Sequence, residues 1–269
     1  MSEIKDDIIQ ISSDNTERDV HFVFGRFQPP TIGHGALVQA VSEKAGTGDA
    51  YVFVSSTQDA KKNPLTVLQK IKWLKQMFGE RYSNVKFINT TTCPIINKVT
   101  TTGCKNPIVA IYALKEAGYG KASFYAGSDR AADYEKTVKK CNFEGIELEV
   151  KTVGKEREPE PSIIGKKRVF TEEIIERCPP QLARVIEPEE ETDIAGVSGT
   201  KMRNFAVACN ATEFSKGVVN LSSDDIKELM GEIRTGLKLP ECPVMTGGKR
   251  KKQTRKRNNR NKRRNTRKR

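Results

Sequence analysis

The sequence predicts an α/β protein with a doubly wound parallel sheet. Between residues 20 and 153, short apolar runs alternate with segments whose apolar residues have helical spacing. This alternation is typical of parallel sheets, because each parallel strand needs a crossover connection. Two loops that follow strands carry glycines and polar side chains, and ligands of such sheets bind at the carboxyl ends of the strands. We therefore expect a ligand site at that edge.

Five strands and seven helices are predicted. The strands, rich in β-branched and aromatic residues, cover 21–24, 50–55, 85–88, 122–126 and 146–153. Apolar periodicity and capping residues place the helices at 33–45, 66–78, 106–115, 131–140, 170–182, 197–209 and 225–235. From Gly154 the chain is charged and contains prolines, which indicates a surface loop or insertion.

The basic charge of the protein is concentrated at one end. Residues 249–269 contain fourteen Lys and Arg and no acid, so the formal charge of +13 becomes −1 once these fourteen are removed. A run with this charge and no apolar residue cannot bury enough surface to fold alone. We predict a flexible lead-in over residues 1–18, a folded domain over 19–240, and a linker with a disordered basic tail over 241–269.

Composition excludes several classes of protein. No apolar run is long enough to span a membrane, and the acidic start lacks the apolar core of a signal peptide. We predict a cytoplasmic or nuclear protein that is not secreted. Its cysteines are scattered without a C-x-x-C pair, so we expect neither a zinc site nor a disulfide framework. They are Cys93, Cys104, Cys141, Cys178, Cys209 and Cys242.

The first candidate site lies in the stretch VHFVFGRFQPPTIGHGALV, Val20–Val38. A buried strand ends at Gly25, two prolines force a turn, and a helix begins near Gly33. Amide groups at a helix N-terminus, together with the helix dipole, favour a bound phosphate. His34 adds a donor that can be charged when it faces phosphate. The alternative is a core loop with a structural histidine.

The second candidate site is VSGTKMR, Val197–Arg203. Hydroxyls and amides at this helix start are suited to wrapping phosphate groups, and Arg203, one turn into the helix, can reach the same anion. An ordinary helix cap with a solvated arginine is the alternative when this motif is considered alone.

Together, the two stretches resemble the motifs of the HxGH nucleotidylyltransferase, or cytidylyltransferase-like, superfamily. GRFQPPTIGH is similar to the first motif in its T-x-G-H variant, and VSGTKMR is similar to the I-S-S/G-T-x-x-R motif. The G-R-F-x-P lead-in is closest to the nicotinamide-mononucleotide adenylyltransferases, whereas Thr31 in place of the first His departs from that branch. The resemblance covers about residues 20–210 and implies a Rossmann-like fold.

The resemblance also implies roles for individual residues. His34 would contact the α-phosphate in the transition state, Thr31 would bind phosphate through its hydroxyl, and Arg203 would hold the β- and γ-phosphates; these three are the catalytic candidates. KKNPLT resembles the N-P-F-T element and makes Lys61, Lys62 and Asn63 substrate-binding candidates. GSDR resembles the family's G-x-D, with a plain helix cap as the alternative. The nucleotide-binding candidates are Gly25, Arg26, Phe27, Gly33, Gly127, Asp129, Val197, Ser198 and Thr200.

The implied activity is transfer of a nucleoside monophosphate, AMP in preference to CMP, from a triphosphate to a small phosphorylated acceptor such as nicotinamide mononucleotide. Mg²⁺ would arrive with the triphosphate, and no residue is predicted to bind metal directly. Cytidylyl transfer to a phosphorylated alcohol is an alternative. A nucleic-acid-associated protein, binding RNA or DNA non-specifically through residues 249–269, is an alternative of another class. The tail could also be a nuclear address, and a fold that senses nucleotide without turnover is a further alternative.

Overall fold

Five parallel strands form the sheet in this computed structural model, which describes residues 7–9, 19–94, 103–141, 143–154 and 197–242. The strand order is β3-β2-β1-β4-β5, and neighbouring strands pair in parallel, with Val20 of β1 opposite Asp49 of β2 and Ala122 of β4. The doubly wound parallel sheet is therefore confirmed. The strands are β1 (Asp19–Gly25), β2 (Asp49–Val54), β3 (Val85–Asn89), β4 (Lys121–Gly127) and β5 (Glu147–Val153).

Helices cover both faces of the sheet and continue beyond it. The described helices are α1 (Ile32–Ala45), α2 (Val67–Leu74), α3 (Pro107–Glu116), α4 (Ser128–Lys140), α5 (Gly199–Val207), α6 (Ala211–Ser215) and α7 (Ser223–Gly236). The five-residue α6 was not predicted, because one turn is too short to show a period. Nor was the π-helical turn Lys75–Gly79 that continues α2. The predicted helix 170–182, the preceding loop and the basic tail lie outside the described residues.

Alternation along β1 divides the core into two parts. Phe22 and Phe24 belong to the cluster under α3 and α4, where the Phe22 ring stacks on Phe124 at 4.7 Å between centroids. Val23 faces the other way, toward α1, α2 and the three C-terminal helices. Each crossover helix buries its apolar face against the sheet in this way, which leaves the carboxyl ends of the strands open for a site.

The C-terminal helices pack on the α1 and α2 side. Trp73 of α2 is fully buried, as predicted for a core residue, and its Nε1 donates to Glu232 of α7 at 2.6 Å. The carbonyl of Gly217 accepts from the amide of Ile32, the first residue of α1, at 2.9 Å. These contacts hold α7 against α2 and Gly217, which follows α6, against the start of α1.

The expectation of no disulfides is wrong. Cys93 pairs with Cys104 and Cys209 with Cys242, with Cα–Cα distances of 5.4 and 5.7 Å. Cys141 is disulfide-bonded as well. The expectation failed because it relied on spacing in the sequence, whereas folding brings together cysteines that are 11 and 33 positions apart.

Residues 7–9 of the predicted lead-in lie against the edge strand β3. Ile9 is fully buried and its amide donates to the carbonyl of Pro94 at 2.8 Å. The carboxylate of Asp7 accepts from the amide of Phe87 at 2.8 Å and pairs with Lys75 at 2.9 Å. In the part of the chain that the structure describes, no helix combines the length and apolarity needed to cross a membrane.

Candidate active site

The turn between β1 and α1, residues 26–31, starts where Gly25 ends its strand. The carbonyl of Gly25 accepts from the amide of Ser55 at 2.9 Å, which joins the ends of β1 and β2. Phe27 follows with a φ of 51°, in the left-handed region that residues with a side chain seldom adopt. Its buried ring meets the imidazole of His34 edge-on, at 4.9 Å between centroids. The turn therefore packs an aromatic ring behind the candidate catalytic histidine.

The orientation of the His34 ring is set by Thr31, the N-cap of α1. The amide of Thr31 donates to Nδ1 of His34 at 2.8 Å, and the hydroxyl of Thr31 lies 3.0 Å from the same nitrogen. Because Nδ1 accepts the amide hydrogen, a neutral ring carries its proton on Nε2. His34 is therefore oriented as a hydrogen-bond donor through Nε2. Thr31 lies behind it, 2% exposed.

The second motif forms the start of α5. Ser198 is the N-cap, and its side chain accepts from the amide of Lys201 at 3.1 Å. Arg203 is buried, with Nη1 donating to the carbonyl of Gln28 at 2.6 Å and Nη2 donating to the hydroxyl of Thr200 at 3.0 Å. The arginine is thus held against the β1–α1 turn, which excludes the solvated arginine of the alternative interpretation.

The two motifs line one pocket that is open to solvent, here called the phosphate pocket. Its walls combine cationic, imidazole, amide and hydroxyl groups, and none of its lining residues is acidic. Such a set attracts a polyanion and offers several hydrogen-bond donors to it. The lining residues are Arg26, Gln28, His34, Lys62, Asn63, Gly199, Thr200 and Arg203.

One wall of the phosphate pocket is a turn organised by Asp59. Its carboxylate accepts from the amides of Lys61 and Lys62, both at 2.7 Å, and from the side chain of Asn63. Burial alone would raise the pKa of the Asp59 carboxyl, but these hydrogen bonds outweigh it and lower the pKa to about 2. The ionised carboxylate therefore holds the turn throughout the neutral range. Lys62 lines the pocket and Lys61 does not.

The other candidates are not among the residues that line the phosphate pocket. Gly33 is in the first turn of α1, and Val197 precedes the Ser198 cap. Gly127 caps α4 at the carboxyl end of β4, the strand beside β1, and Asp129 is in the first turn of α4.

Gly199 and Gln28 line the pocket although neither is among the predicted site residues. Gly199 lies within VSGTKMR, whereas Gln28 occupies the variable position of G-R-F-x-P. Its contacts are made with distant segments, so no spacing in the sequence reveals them.

Comparison with solved structures gives matches at low sequence identity. A protein from Vibrio parahaemolyticus assigned as a nicotinate-nucleotide adenylyltransferase matches with 14% identity and a TM-score of 0.42, over 80% of this chain and 99% of the other. The nicotinic acid mononucleotide adenylyltransferase of Plasmodium falciparum, complexed with NaAD, matches with 11% identity and a TM-score of 0.44, over 79% and 96% of the two chains. Comparison with curated proteins gives no match.

The family is shown by a family model. The model described as cytidylyltransferase-like matches residues 22–205, which is more than half of the chain and includes both motifs. The match begins in β1 and ends in α5, so it spans the whole sheet and the phosphate pocket. The resemblance inferred from GRFQPPTIGH and VSGTKMR is therefore confirmed, and the chain belongs to the cytidylyltransferase-like family of nucleotidylyltransferases.

Proposed function

We propose that the protein transfers the adenylyl group of ATP to a small phosphorylated acceptor, with nicotinamide mononucleotide as the first candidate. An acceptor phosphate oxygen attacks the α-phosphorus, the bond from that phosphorus to the bridging oxygen breaks, and pyrophosphate leaves. The observation that supports this proposal is the shared pocket of His34 and Arg203, which come from motifs far apart in the sequence. Adenylyl transfer is favoured over cytidylyl transfer by the GRFQP and NP-x-T elements.

The residues of the phosphate pocket suit a reaction that requires alignment and charge stabilisation rather than a nucleophilic side chain. His34 would donate from Nε2 to an α-phosphate oxygen as negative charge builds there. Arg203, Thr200, Lys62 and Arg26 would bind the β- and γ-phosphates. Thr31 would act by fixing the imidazole, because its hydroxyl and amide are engaged with Nδ1.

The adenosine would lie along the neighbouring strand ends. Gly25 and Phe27 would form one side of its site, with Gly33 allowing the ligand to approach the start of α1. Gly127 and Asp129, at the end of β4, would contact the ribose or base. Val197 and Ser198 would complete the pocket from α5, with Ser198 acting through its helix cap.

Mg²⁺ fits this pocket as an ion carried by the triphosphate. Magnesium in proteins is commonly held by one or two carboxylates together with substrate phosphates. None of the lining residues is a carboxylate, and the described residues contain no cluster of three or more His, Cys, Asp and Glu suited to a metal. The ion would therefore be bound by phosphate oxygens and would offset their charge during transfer.

Pyrophosphate release tests the proposal. The full chain is incubated with Mg²⁺ and either ATP or CTP, with nicotinamide mononucleotide, nicotinate mononucleotide or phosphorylated alcohols as acceptors. Acceptor-dependent release from ATP, together with a dinucleotide product, is the expected result. Release from CTP alone with a phosphorylated alcohol would replace adenylyl by cytidylyl transfer, and no release with any pair would overturn the proposal.

The two adjacent lysines of the Asp59 turn provide a matched comparison. Lys62→Ala is expected to raise the KM for ATP about 10-fold, because it removes a charged hydrogen-bond donor from the pocket wall. Lys61→Ala removes the same charge from a position outside the lining and is expected to have a smaller effect. Steady-state kinetics at fixed ionic strength measure both, and equal effects would show that Lys62 acts only through general surface charge.

A second function is suggested by the charge of residues 249–269. We propose that this tail binds RNA or DNA without sequence selectivity, in addition to the reaction of the domain. A chain ending at Gly248 is expected to keep its turnover and to lose salt-sensitive retention on RNA and DNA. Unchanged retention after truncation would locate any nucleic-acid binding elsewhere.

A further inference from the structure

The side chain of Gln28 joins two segments of the pocket that are otherwise separate. Its Nε2 donates to the carbonyl of Leu65 at 2.8 Å, and its Oε1 accepts from the amide of Leu65 at 2.9 Å. Nε2 also lies 3.3 Å from the carbonyl of Thr57. The amide group therefore binds the loop between β2 and α2, residues 55–66, as a neighbouring strand would.

A buried lysine of α2 also binds this loop. Nζ of Lys70, on α2, donates to the carbonyls of Ser55 and Thr57, and its side chain is fully buried. Thr57 thus receives donors from both Lys70 and Gln28. The loop that carries Lys62 and Asn63 is consequently fixed at both ends of its lining segment.

The backbone of Gln28 makes the connection to the second motif. Its carbonyl accepts from Nη1 of Arg203 at 2.6 Å. Gly199 shows how close the approach is, because a Cβ atom there would lie 2.8 Å from this carbonyl oxygen and 3.3 Å from Nη1 of Arg203. One residue therefore contacts the lysine-bearing loop through its side chain and the arginine of α5 through its main chain.

We propose that Gln28 is a positioning residue that fixes the distance between the Arg203 side and the Lys62 side of the phosphate pocket. This inference rests on the proposed function, in which both sides bind one triphosphate. When the amide is absent, the β2–α2 loop loses its link to the turn that carries the Gln28 carbonyl, so the distance between Lys62 and Arg203 is less tightly fixed. Small displacements of binding groups are costly in reactions that depend on alignment.

The test is a double-mutant cycle between Gln28 and Arg203. Gln28→Met keeps the length of the side chain and removes the amide, and it is expected to lower kcat/KM for ATP about 10-fold. In an Arg203→Ala background, the same change is expected to have almost no further effect. A 10-fold loss in both backgrounds, or no loss in either, would overturn the proposal.

Gln69→Met is the matched control. Gln69 is the capping-box partner of Thr66 at the start of α2, and its Oε1 accepts from the amide of Thr66 at 2.9 Å. It therefore stabilises the same loop without lining the pocket. If Gln28 only supported the loop, the two methionine variants would lose activity equally. The proposal requires a clearly larger loss from Gln28→Met at a comparable melting temperature.

Gly199→Ala tests the contact between the Gln28 carbonyl and Arg203 from the α5 side. The added methyl group presses on the Gln28 carbonyl while the amide of Gln28 remains, and its effect is expected not to add to that of Gln28→Met. This variant also serves if Gln28→Met does not fold. The same cycle can be measured without turnover, from the dissociation constant of inorganic triphosphate determined by calorimetry. If the protein shows no transfer activity, the proposed function is rejected, but the calorimetric cycle still tests the role of Gln28.

Discussion

Replacing His34 with alanine is expected to lower kcat at least about 100-fold while leaving the melting temperature close to that of the unmodified protein. The imidazole is oriented through Nδ1, which leaves Nε2 as the donor. In the proposed reaction, its loss would remove a hydrogen bond that strengthens as charge builds on the α-phosphate, so the KM for ATP should change much less than kcat. Steady-state pyrophosphate release measures both quantities.

His21 provides the matched control, since it is the other of the two histidines in the chain. Its Nδ1 lies 3.0 Å from the hydroxyl of Tyr125, and it does not line the pocket. Burial and the positive charge of Lys151 lower the pKa of this imidazole, which favours its neutral form. His21→Ala should keep its turnover, and near-normal turnover of His34→Ala would remove His34 from its proposed role.

The loss of the Cys209–Cys242 disulfide is expected to destabilise the protein by about 3–4 kcal/mol. The cross-link closes a segment of 33 positions that contains α6 and α7, and a longer closed segment removes more freedom from the unfolded chain. Cys209→Ser with Cys242→Ser tests this in urea unfolding. The Cys93→Ser and Cys104→Ser pair, with a separation of 11, should cost less.

Arg234 is expected to keep the reduced protein in the same arrangement at the end of α5. Its Nη1 donates to the carbonyls of Ala206 and Val207, and its Nε donates to that of Pro240. Removal of the disulfide should therefore change kcat only slightly, although it lowers the free energy of unfolding.

Equal urea midpoints with and without reductant would show that these cysteines are not paired in the isolated protein. Disulfides persist in oxidising compartments and are rare in the cytosol and nucleus, so a measured disulfide would argue against the predicted cytoplasmic or nuclear location.

The parts of the fold that sequence reasoning predicted depend on local patterns. The alternation in β1, the capping of α2 by Thr66 and the Pro107 start of α3 each lie within a few residues, and all are present in the structure. The same holds for the first motif, whose strand, turn and helix are contiguous. Such signals are readable because backbone geometry and burial act on neighbouring residues together.

What sequence reasoning missed depends on contacts between distant segments. The amide of Gln28 meets Leu65, and its carbonyl meets Arg203, 175 positions away. Cys209 and Cys242 are brought together by the packing of α5 and α7. Thr31 contacts the imidazole of His34. In each case the partner is determined by the tertiary fold and cannot be read from residue type and spacing.

The carboxylate of Asp7 accepts a hydrogen bond from the amide of Phe87 on the edge strand β3. An open strand of this kind invites pairing with another chain, and short polar covers are a common natural defence. Residues 7–9 thus cover part of the β3 edge, which opposes pairing with a second chain. Removal of these three residues is expected to expose β3 to neighbouring molecules and to favour self-association.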